Sequence, residues 1–242
     1  MYGVKTLKKQ KIISRLLCFL FAFLFSFLFY TITELKKTAQ TAGRVSQFNT
    51  VIVDAGHGGA DGGAVALDNT AEKDYNLQIA LKLRDLLVLN GFEVIMTRTE
   101  DVMTCNDGLI SLRQKKVSDI HNRFTLTQKY SDAVFVSIHQ NKFEDTAQKG
   151  TQVFYSANNF KSKILAEEIQ KTVISKTQPD NKRAVIKSGT EIYILYHSQI
   201  PTVLVECGFI SNNEDLNKLK TDEYKTQLAM LIAEGIMKYK GD

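Results

Sequence analysis

Residues 50–63 read TVIVDAGHGGADGG, and this stretch sets the expectation for the whole fold. Its first residues form a short apolar run, which is typical of a buried β-strand, and the run ends in a glycine-rich turn. His57 lies in that turn, where flanking glycines permit an unusual backbone path and leave the imidazole unobstructed. The pattern predicts a strand with a functional histidine just beyond its end.

The glycines also raise the alternative of a phosphate-cradling loop, which requires G-x-G-x-x-G leading directly into a helix. Counted from Gly56, the last glycine position is Asp61, and the next predicted helix begins only near Glu72. A lysine of the Walker type is missing from the turn as well. The sequence therefore argues against a nucleotide-binding loop.

Strands and amphipathic helices alternate along the rest of the chain. Further strands are predicted at residues 92–97, 133–138, 150–156, 191–196 and 202–206. Helices are predicted at residues 72–90, 109–130, 161–176, 213–220 and 222–240. This alternation indicates an α/β fold with a mainly parallel sheet of about six strands flanked by helices. In such sheets ligands bind beyond the carboxyl ends of the strands.

The basic charge of the chain is concentrated at its N-terminus. The formal net charge is +5, but residues 1–43 hold seven basic residues and one acidic residue, which leaves 24 basic and 25 acidic residues in 44–242. A nucleic-acid-binding domain needs a basic surface of its own to displace counterions from phosphates. The near-neutral composition of residues 44–242 therefore argues against nucleic acid as a partner.

The N-terminal segment reads as a membrane anchor. Five basic residues precede the uncharged apolar run at 16–32, which reaches about 25 Å as a helix. We predict a signal anchor or transmembrane helix at 1–33, a polar linker at 34–48 and a single domain at 49–242. The excess of basic residues before the run places that domain outside the cytoplasm. Small residues at 39–43 keep cleavage and secretion open as an alternative.

Three of the most apolar strands run into an ionisable residue. These residues are His57 after VIVDAG, His139 after AVFVSI and Glu206 after TVLV. A charge at the end of a buried strand is costly unless it is paired or bound to a metal. Because strand ends are where an open α/β sheet keeps its site, we expect the three side chains to meet.

Glu72 starts the first predicted helix, and two roles are open to it. With Asn69 it has the spacing of a capping box, which is a structural role. Beside two histidines it is a third metal ligand, because two imidazoles and one carboxylate leave a zinc coordination position open for water. Glu206 is then a general base near that water. Zinc ligation by Glu206, with Glu72 as a helix cap only, is the competing assignment.

The remaining candidate residues carry weaker signals. Strand alternation places Cys207 on the face opposite Glu206, which predicts inert packing rather than a nucleophile. His121 lies in a charged helical stretch and reads as a surface residue. His197 follows a predicted strand and is kept as an alternative ligand or proton donor.

Taken together, these motifs resemble the zinc-dependent N-acetylmuramoyl-L-alanine amidases of the amidase-3 family. VIVDAGHGGADGGAV resembles the opening strand and first histidine of that family, AEKDYNL its glutamate, VFVSIHQN its second histidine and PTVLVECGFISN its catalytic glutamate. The resemblance covers essentially the whole predicted domain. It implies a mixed sheet with flanking helices and cleavage of the peptidoglycan amide between N-acetylmuramic acid and L-alanine.

The resemblance also implies roles for individual residues. It implies Zn²⁺ as the cofactor, bound by His57, Glu72 and His139, and Glu206 as the catalytic carboxylate. Two more residues correspond to recurring family positions and are candidate substrate contacts, namely Asn141 and Arg123. An anchor joined to a bare catalytic domain, with the insert DGLISLRQKK, is similar to the sporulation and germination subgroup that trims spore cortex peptidoglycan.

Two other functions remain open from the sequence. A zinc peptidase acting on stem peptides would need the same ligands and base. An inactive wall-binding module would have lost at least one of the four site residues, and all four are present. We thus predict peptidoglycan as the substrate and the membrane as a contact through the N-terminal helix. The sequence identifies no protein partner.

Overall fold

The computed structural model describes residues 20, 22–31 and 48–241, and the chain divides into two units, Met1–Val45 and Ser46–Asp242. In the first unit, residue 20 and residues 22–31 are helical, and their large apolar side chains are exposed. Within the described ranges, no helix combines the length and apolar character needed to cross a membrane. Much of the predicted anchor at 1–33 and nearly all of the linker at 34–48 lie outside the described residues.

The second unit is a six-stranded sheet with helices on both faces. The strands are β1 (Thr50–Ala55), β2 (Glu93–Met96), β3 (Ala133–Asn141), β4 (Gln152–Tyr155), β5 (Ile186–Lys187) and β6 (Thr202–Phe209). The helices are α1 (Glu72–Leu89), α2 (Leu112–Lys129), α3 (Lys161–Thr177), α4 (Tyr193–His197), α5 (Asn213–Leu219) and α6 (Asp222–Lys240). The predicted α/β class is confirmed.

The strand order β2-β1-β3-β6-β4-β5 makes the sheet mixed. Strands β2, β1, β3 and β6 run parallel, whereas β4 is antiparallel to β6 and parallel to β5. The register places Asp54 beside Ser137 and His139 beside Glu206. The carboxyl ends of three neighbouring strands therefore meet at one edge, where the predicted site residues lie.

The two faces of the sheet are covered unequally. On one face α1, α3 and α6 pack over the main core, which includes Val51, Val53 and Val136. The opposite face carries a small core of Ile52, Ala133, Phe135, Ile194 and Ile200, covered by α2 and the single turn of α4. Residues on alternate strand positions face opposite sides, so His139 and Glu206 share the thinly covered face with Phe135. A cleft can open there without breaching the main core.

One predicted strand is wrong. Residues 191–196 do not form a strand; the chain instead forms α4 over Tyr193–His197, whose Ile194 and Leu195 are buried. A short apolar run fits a buried helical turn as well as a buried strand, and periodicity alone does not separate them. The fifth strand is Ile186–Lys187. Both residues are exposed, and no apolar run in the sequence indicates a strand there.

Candidate active site

Two histidines and one glutamate meet at the carboxyl edge of the sheet. His57 comes from the turn after β1, Glu72 from the first turn of α1 and His139 from the end of β3. His57 Nε2 lies 3.3 Å from Glu72 Oε2, and His139 Nδ1 lies 2.9 Å from Glu72 Oε1. One donor atom from each residue lies within 4.8 Å of the other two, so the group can hold a metal ion.

Glycines allow these side chains to approach one another. A Cβ atom on Gly56 would lie 2.2 Å from His139 Nε2, and one on Gly63 would lie 2.6 Å from Glu72 Oε2. His57 itself adopts a φ of 61°, a left-handed conformation that is uncommon outside glycine and is found often at functional sites. The glycine-rich turn is therefore shaped around the imidazoles.

Glu72 is fixed by the protein on both oxygens. It is 4% exposed and accepts hydrogen bonds from the backbone N–H groups of Ala64 and Gln140 and from the side chain of Asn76. Burial acts to raise the pKa of Glu72, but hydrogen bonds and charge from the two histidines hold it well below its usual range. The alternative role of Glu72 in a capping box with Asn69 is wrong, because Ala71 is the N-cap of α1 and no side chain caps the helix.

Asp61 is a site residue that the motif analysis passed over. Its Oδ2 lies 2.8 Å from His57 Nδ1, and its Oδ1 lies 2.6 Å from Lys116 Nζ. Burial acts against protonation of His57, yet hydrogen bonds to Asp61 and Glu72 raise the pKa of that imidazole to about 9. The spacing of four residues from His57, within a turn, was the available signal.

Arg123 lies beneath the turn, buried against the sheet. Its guanidinium donates to Asp54, to Asp119 and to the backbone carbonyls of Ala55 and His57. These contacts engage all five N–H donors, so the substrate contact predicted for Arg123 would find no free donor. Its geometry suits support of the turn that carries His57.

Glu206 faces the same cleft with an unpaired oxygen. Among the residues that the structure describes, its Oε2 is buried and has no hydrogen-bond partner. Burial raises the pKa of Glu206 to about 7, with His139 opposing the shift and Glu72 adding to it. A buried carboxyl without donors favours its neutral form, which is a property of groups that exchange protons.

A cleft of about 410 Å³ joins these groups. It lies between the thinly covered sheet face and helices α2 and α4. Its polar lining includes His57, Asp61, His139 and Glu206, with Lys116 and Glu191 also contributing. Its apolar lining consists of Ile120, Phe135, Ile192, Ile194, Leu195 and Leu204.

The other candidate residues make contacts of their own. Asn141 ends β3 beyond an irregularity in the ladder, and its backbone carbonyl accepts from Ile210. His197 is exposed at the end of α4, with its ring 4.3 Å from that of Tyr193, so it is not brought to the cluster. His121 is exposed as predicted. Cys207 is fully buried, and burial raises the pKa of its thiol well above the usual range.

Residues 51–238 match the profile of the amidase-3 family, described as N-acetylmuramoyl-L-alanine amidase. The chain belongs to this family. The match covers nearly the whole sheet and all four predicted site residues. The amidase thus hydrolyses the peptidoglycan amide between N-acetylmuramic acid and L-alanine, and the function predicted from the motifs is confirmed.

Individual relatives agree with the family. The germination-specific N-acetylmuramoyl-L-alanine amidase of Bacillus subtilis strain 168 is 32% identical over 195 residues, covering 79% of this chain and 81% of that protein. The CwlD amidase of Clostridioides difficile, solved in complex with the GerS lipoprotein, is 40% identical with a TM-score of 0.76, covering 79% of this chain and 98% of the other. An amidase from Clostridium difficile 630 is 32% identical with a TM-score of 0.68, covering 80% and 97%.

Proposed function

We propose that this amidase holds a zinc ion with His57, Glu72 and His139 and uses Glu206 as its general base. The observation that carries the proposal is the gathering of two imidazole nitrogens and one carboxylate oxygen within 4.8 Å. Two imidazoles and one carboxylate are the ligand set of several catalytic zinc sites, which keep a further position open. The donors fit such an ion, because an anionic Glu72 is buried between the two rings.

The chemistry then divides among the residues of the cleft. Zinc, when bound, supplies Lewis-acid chemistry by polarising the scissile carbonyl and lowering the pKa of a water. Glu206 takes a proton from the attacking water as the new C–O bond forms. As the C–N bond breaks, Glu206 returns that proton to the nitrogen of L-alanine, which leaves as a free amine. No donor among the described residues competes for Oε2 of Glu206, which favours its use in both transfers.

Digestion of purified peptidoglycan by the full chain with added zinc tests the reaction. Mass spectrometry should find free L-alanine amino termini on intact stem peptides. Cleavage inside the stem peptides would favour a zinc peptidase instead. Absence of any cleavage, with retained binding to the wall, would favour an inactive wall-binding module.

The assignment of base and ligand needs a matched pair of variants. Glu206→Gln should bind zinc as the wild type does and lose turnover by about 10²–10⁴-fold, which is the range for removal of a general base. Glu72→Gln should lose zinc, because its carboxylate lies between both imidazoles. Loss of zinc in Glu206→Gln, with zinc retained in Glu72→Gln, would show that the two roles are exchanged.

We further propose that the substrate in the cell is spore cortex peptidoglycan. The support is similarity to a germination-specific amidase and to CwlD, both matched over most of their length. Expression of the chain in a spore-forming host that lacks its germination-specific amidase tests this. Muropeptide analysis should then show restored removal of stem peptides in the cortex, whereas a change confined to the vegetative wall would contradict the proposal.

We also propose that residues 1–33 anchor the amidase in the membrane with residues 49–242 outside the cytoplasm. The support is the apolar run at 16–32 with five basic residues before it. The full chain should resist extraction by high salt and carbonate but dissolve in detergent, and protease added outside should digest the domain. Release of a shortened, soluble chain would instead support cleaved secretion.

A further inference from the structure

Asp61 lies against the side of the His57 ring that faces away from the metal-binding cluster. Its Oδ2 is 2.8 Å from Nδ1, while Nε2 of the same ring is 3.3 Å from Glu72 Oε2. A neutral imidazole that offers its Nε2 lone pair to a metal carries its proton on Nδ1, and that N–H then donates to Asp61. The carboxylate side chain is only 11% exposed, so water competes little for this hydrogen bond.

Lys116 fixes Asp61 from outside the turn. Its Nζ lies 2.6 Å from Asp61 Oδ1, and the backbone N–H of Gly63 donates to the same oxygen at 3.3 Å. Lys116 comes from α2, which also supplies Arg123 to the carbonyl of His57. One oxygen of Asp61 is thus held by the protein while the other holds the imidazole.

Packing alone does not fix which nitrogen of His57 faces the metal. The ring lies against Gly63, where a Cβ would come within 2.7 Å of its Cδ2, but its side chain is 25% exposed and its backbone has a left-handed φ of 61°. The hydrogen bond from Nδ1 to Asp61 supplies the further restraint on the ring. Carboxylates that accept from metal-binding histidines fix the tautomer and the ring orientation.

We propose that Asp61 is a positioning residue that holds His57 in the tautomer and orientation for zinc binding through Nε2, with Lys116 holding Asp61 in turn. The inference rests on the zinc centre proposed above. Asp61 touches neither substrate nor reacting atoms in this assignment, so its removal acts through the ligand.

The test measures zinc affinity of the full chain by competition with a chromophoric chelator. Asp61→Ala should weaken zinc binding by about 10–100-fold, the usual effect of removing such a partner. Asp61→Asn should weaken it less, because an amide oxygen still accepts from Nδ1–H. The d–d absorption of the cobalt-substituted protein should change in Asp61→Ala, because the geometry of one ligand changes. Lys116→Met should weaken zinc binding in the wild-type background and add nothing to Asp61→Ala.

Asp101 provides the matched control. It accepts from the backbone N–H of Gly59 at 2.7 Å and pairs with Lys73 at 2.6 Å, so it supports the same turn with a lysine partner but contacts no imidazole. Asp101→Ala should keep zinc affinity within about fivefold, the equivalent of the roughly 1 kcal/mol that an exposed ion pair contributes at most. Its cobalt spectrum should match that of the wild type.

Several outcomes would overturn the inference. Unchanged zinc affinity in Asp61→Ala would do so, as would an equal loss in Asp101→Ala, which would point to support of the turn rather than of the ring. Circular dichroism of the zinc-free proteins establishes that each variant folds. If Asp61→Ala does not fold, the zinc affinity of Asp61→Asn is the test instead. A wild-type chain that binds no zinc would instead overturn the zinc centre itself, whereas peptidoglycan digestion judges the amidase reaction separately.

Discussion

Replacing Arg123 with methionine should destabilise the fold through a buried carboxylate that loses its counter-charge. Arg123 and Asp54 have side chains 4% and 3% exposed and meet at 2.6 Å. Asp119, 8% exposed, lies 2.8 Å from the same guanidinium. Methionine keeps most of the side-chain volume of arginine but removes its charge and all five of its N–H donors. The two carboxylates are then left buried and close to one another.

Removing one partner of a buried ion pair costs about 3–5 kcal/mol. That is a fifth or more of the roughly 5–15 kcal/mol that stabilises a typical domain. Asp54 keeps its hydrogen bonds from Ser137 and Thr97, which places the expected loss at the lower part of the range. The double variant Asp54→Asn/Arg123→Met should recover a large part of the loss, because no buried anion remains on the strand.

The loss should depend on pH with a definite sign. In the wild type, burial acts to raise the pKa of Asp54, but Arg123, Ser137 and other neighbours hold it below the ordinary value of 3.8. A lowered pKa gives stability that is complete above 3.8 and is lost only as the pH falls through the folded-state pKa. Without Arg123 burial prevails and the pKa rises, so the variant loses stability as the pH rises above 3.8. The difference between the proteins should therefore be larger at pH 7.5 than at pH 5, by up to about 1.4 kcal/mol per pH unit.

Urea denaturation followed by circular dichroism, in chelator so that zinc affinity does not contribute, measures both effects. Arg123→Lys is the control, since it keeps the charge but loses the planar fork of donors. A loss below about 1 kcal/mol for Arg123→Met, the size of an exposed pair, would refute the reasoning. So would an equal loss at both pH values.

Two further substitutions follow from close contacts at glycines. Gly56→Ala would place its Cβ 2.2 Å from Nε2 of His139. It should weaken zinc binding at least tenfold, which is about the effect of disturbing a metal ligand through its support. Gly62→Ala is the control: its Cβ would meet nothing closer than 3.7 Å, so the variant should bind zinc normally in the same chelator competition. Gly235→Ala would place its Cβ 2.6 Å from Cα of Ile169 and should destabilise the fold in urea. Overpacking lowers the free energy of unfolding by about 1–3 kcal/mol, which outweighs the roughly 1 kcal/mol that alanine gains over glycine in a helix. A variant more stable than the wild type would therefore contradict the close packing between α3 and α6.

The sequence predicted the sheet edge well because the signals there are local. Apolar runs that end in His57, His139 and Glu206 mark strand ends, and parallel strands bring their carboxyl ends to one edge. The sequence predicted α4 wrongly because five apolar or aromatic residues in a row, at 192–196, fit either a buried helical turn or a strand. The two-residue β5 pairs only with the end of β4 and leaves no periodic pattern.

The supporting roles of Arg123 and Asp61 were missed for a different reason, although Arg123 itself was predicted as a substrate contact. Arg123 contacts Asp54 across 69 positions of sequence, and no spacing rule connects a helix residue to a particular strand residue at that distance. A signal did exist in Asp54, a carboxylate that ends the apolar run of β1 and must be paired if it is buried. The sequence shows Asp61 as a polar residue in the turn, but it does not show which atom Asp61 contacts. Only the structure, which places Asp61 beside Nδ1 of His57, indicates its role.

Glu72 and Glu206 line the same small region, and their surroundings separate their roles. Glu72 accepts from three donors besides the imidazoles, so its anionic form is stabilised whether or not a metal is present. A carboxylate held in that form is prepared to bind a cation and poorly suited to carry a proton. Glu206 has an oxygen without a donor and a pKa raised by burial to about 7, so a proton can be taken up and released near neutral pH. A cation beside it would lower that pKa and favour the ionised form that a base requires. The competing assignment would require Glu206 to bind the metal although no donor among the described residues supports its Oε2. It would also leave Glu72, which accepts from three donors, as a helix cap only, although Ala71 is the N-cap of α1 and no side chain caps that helix.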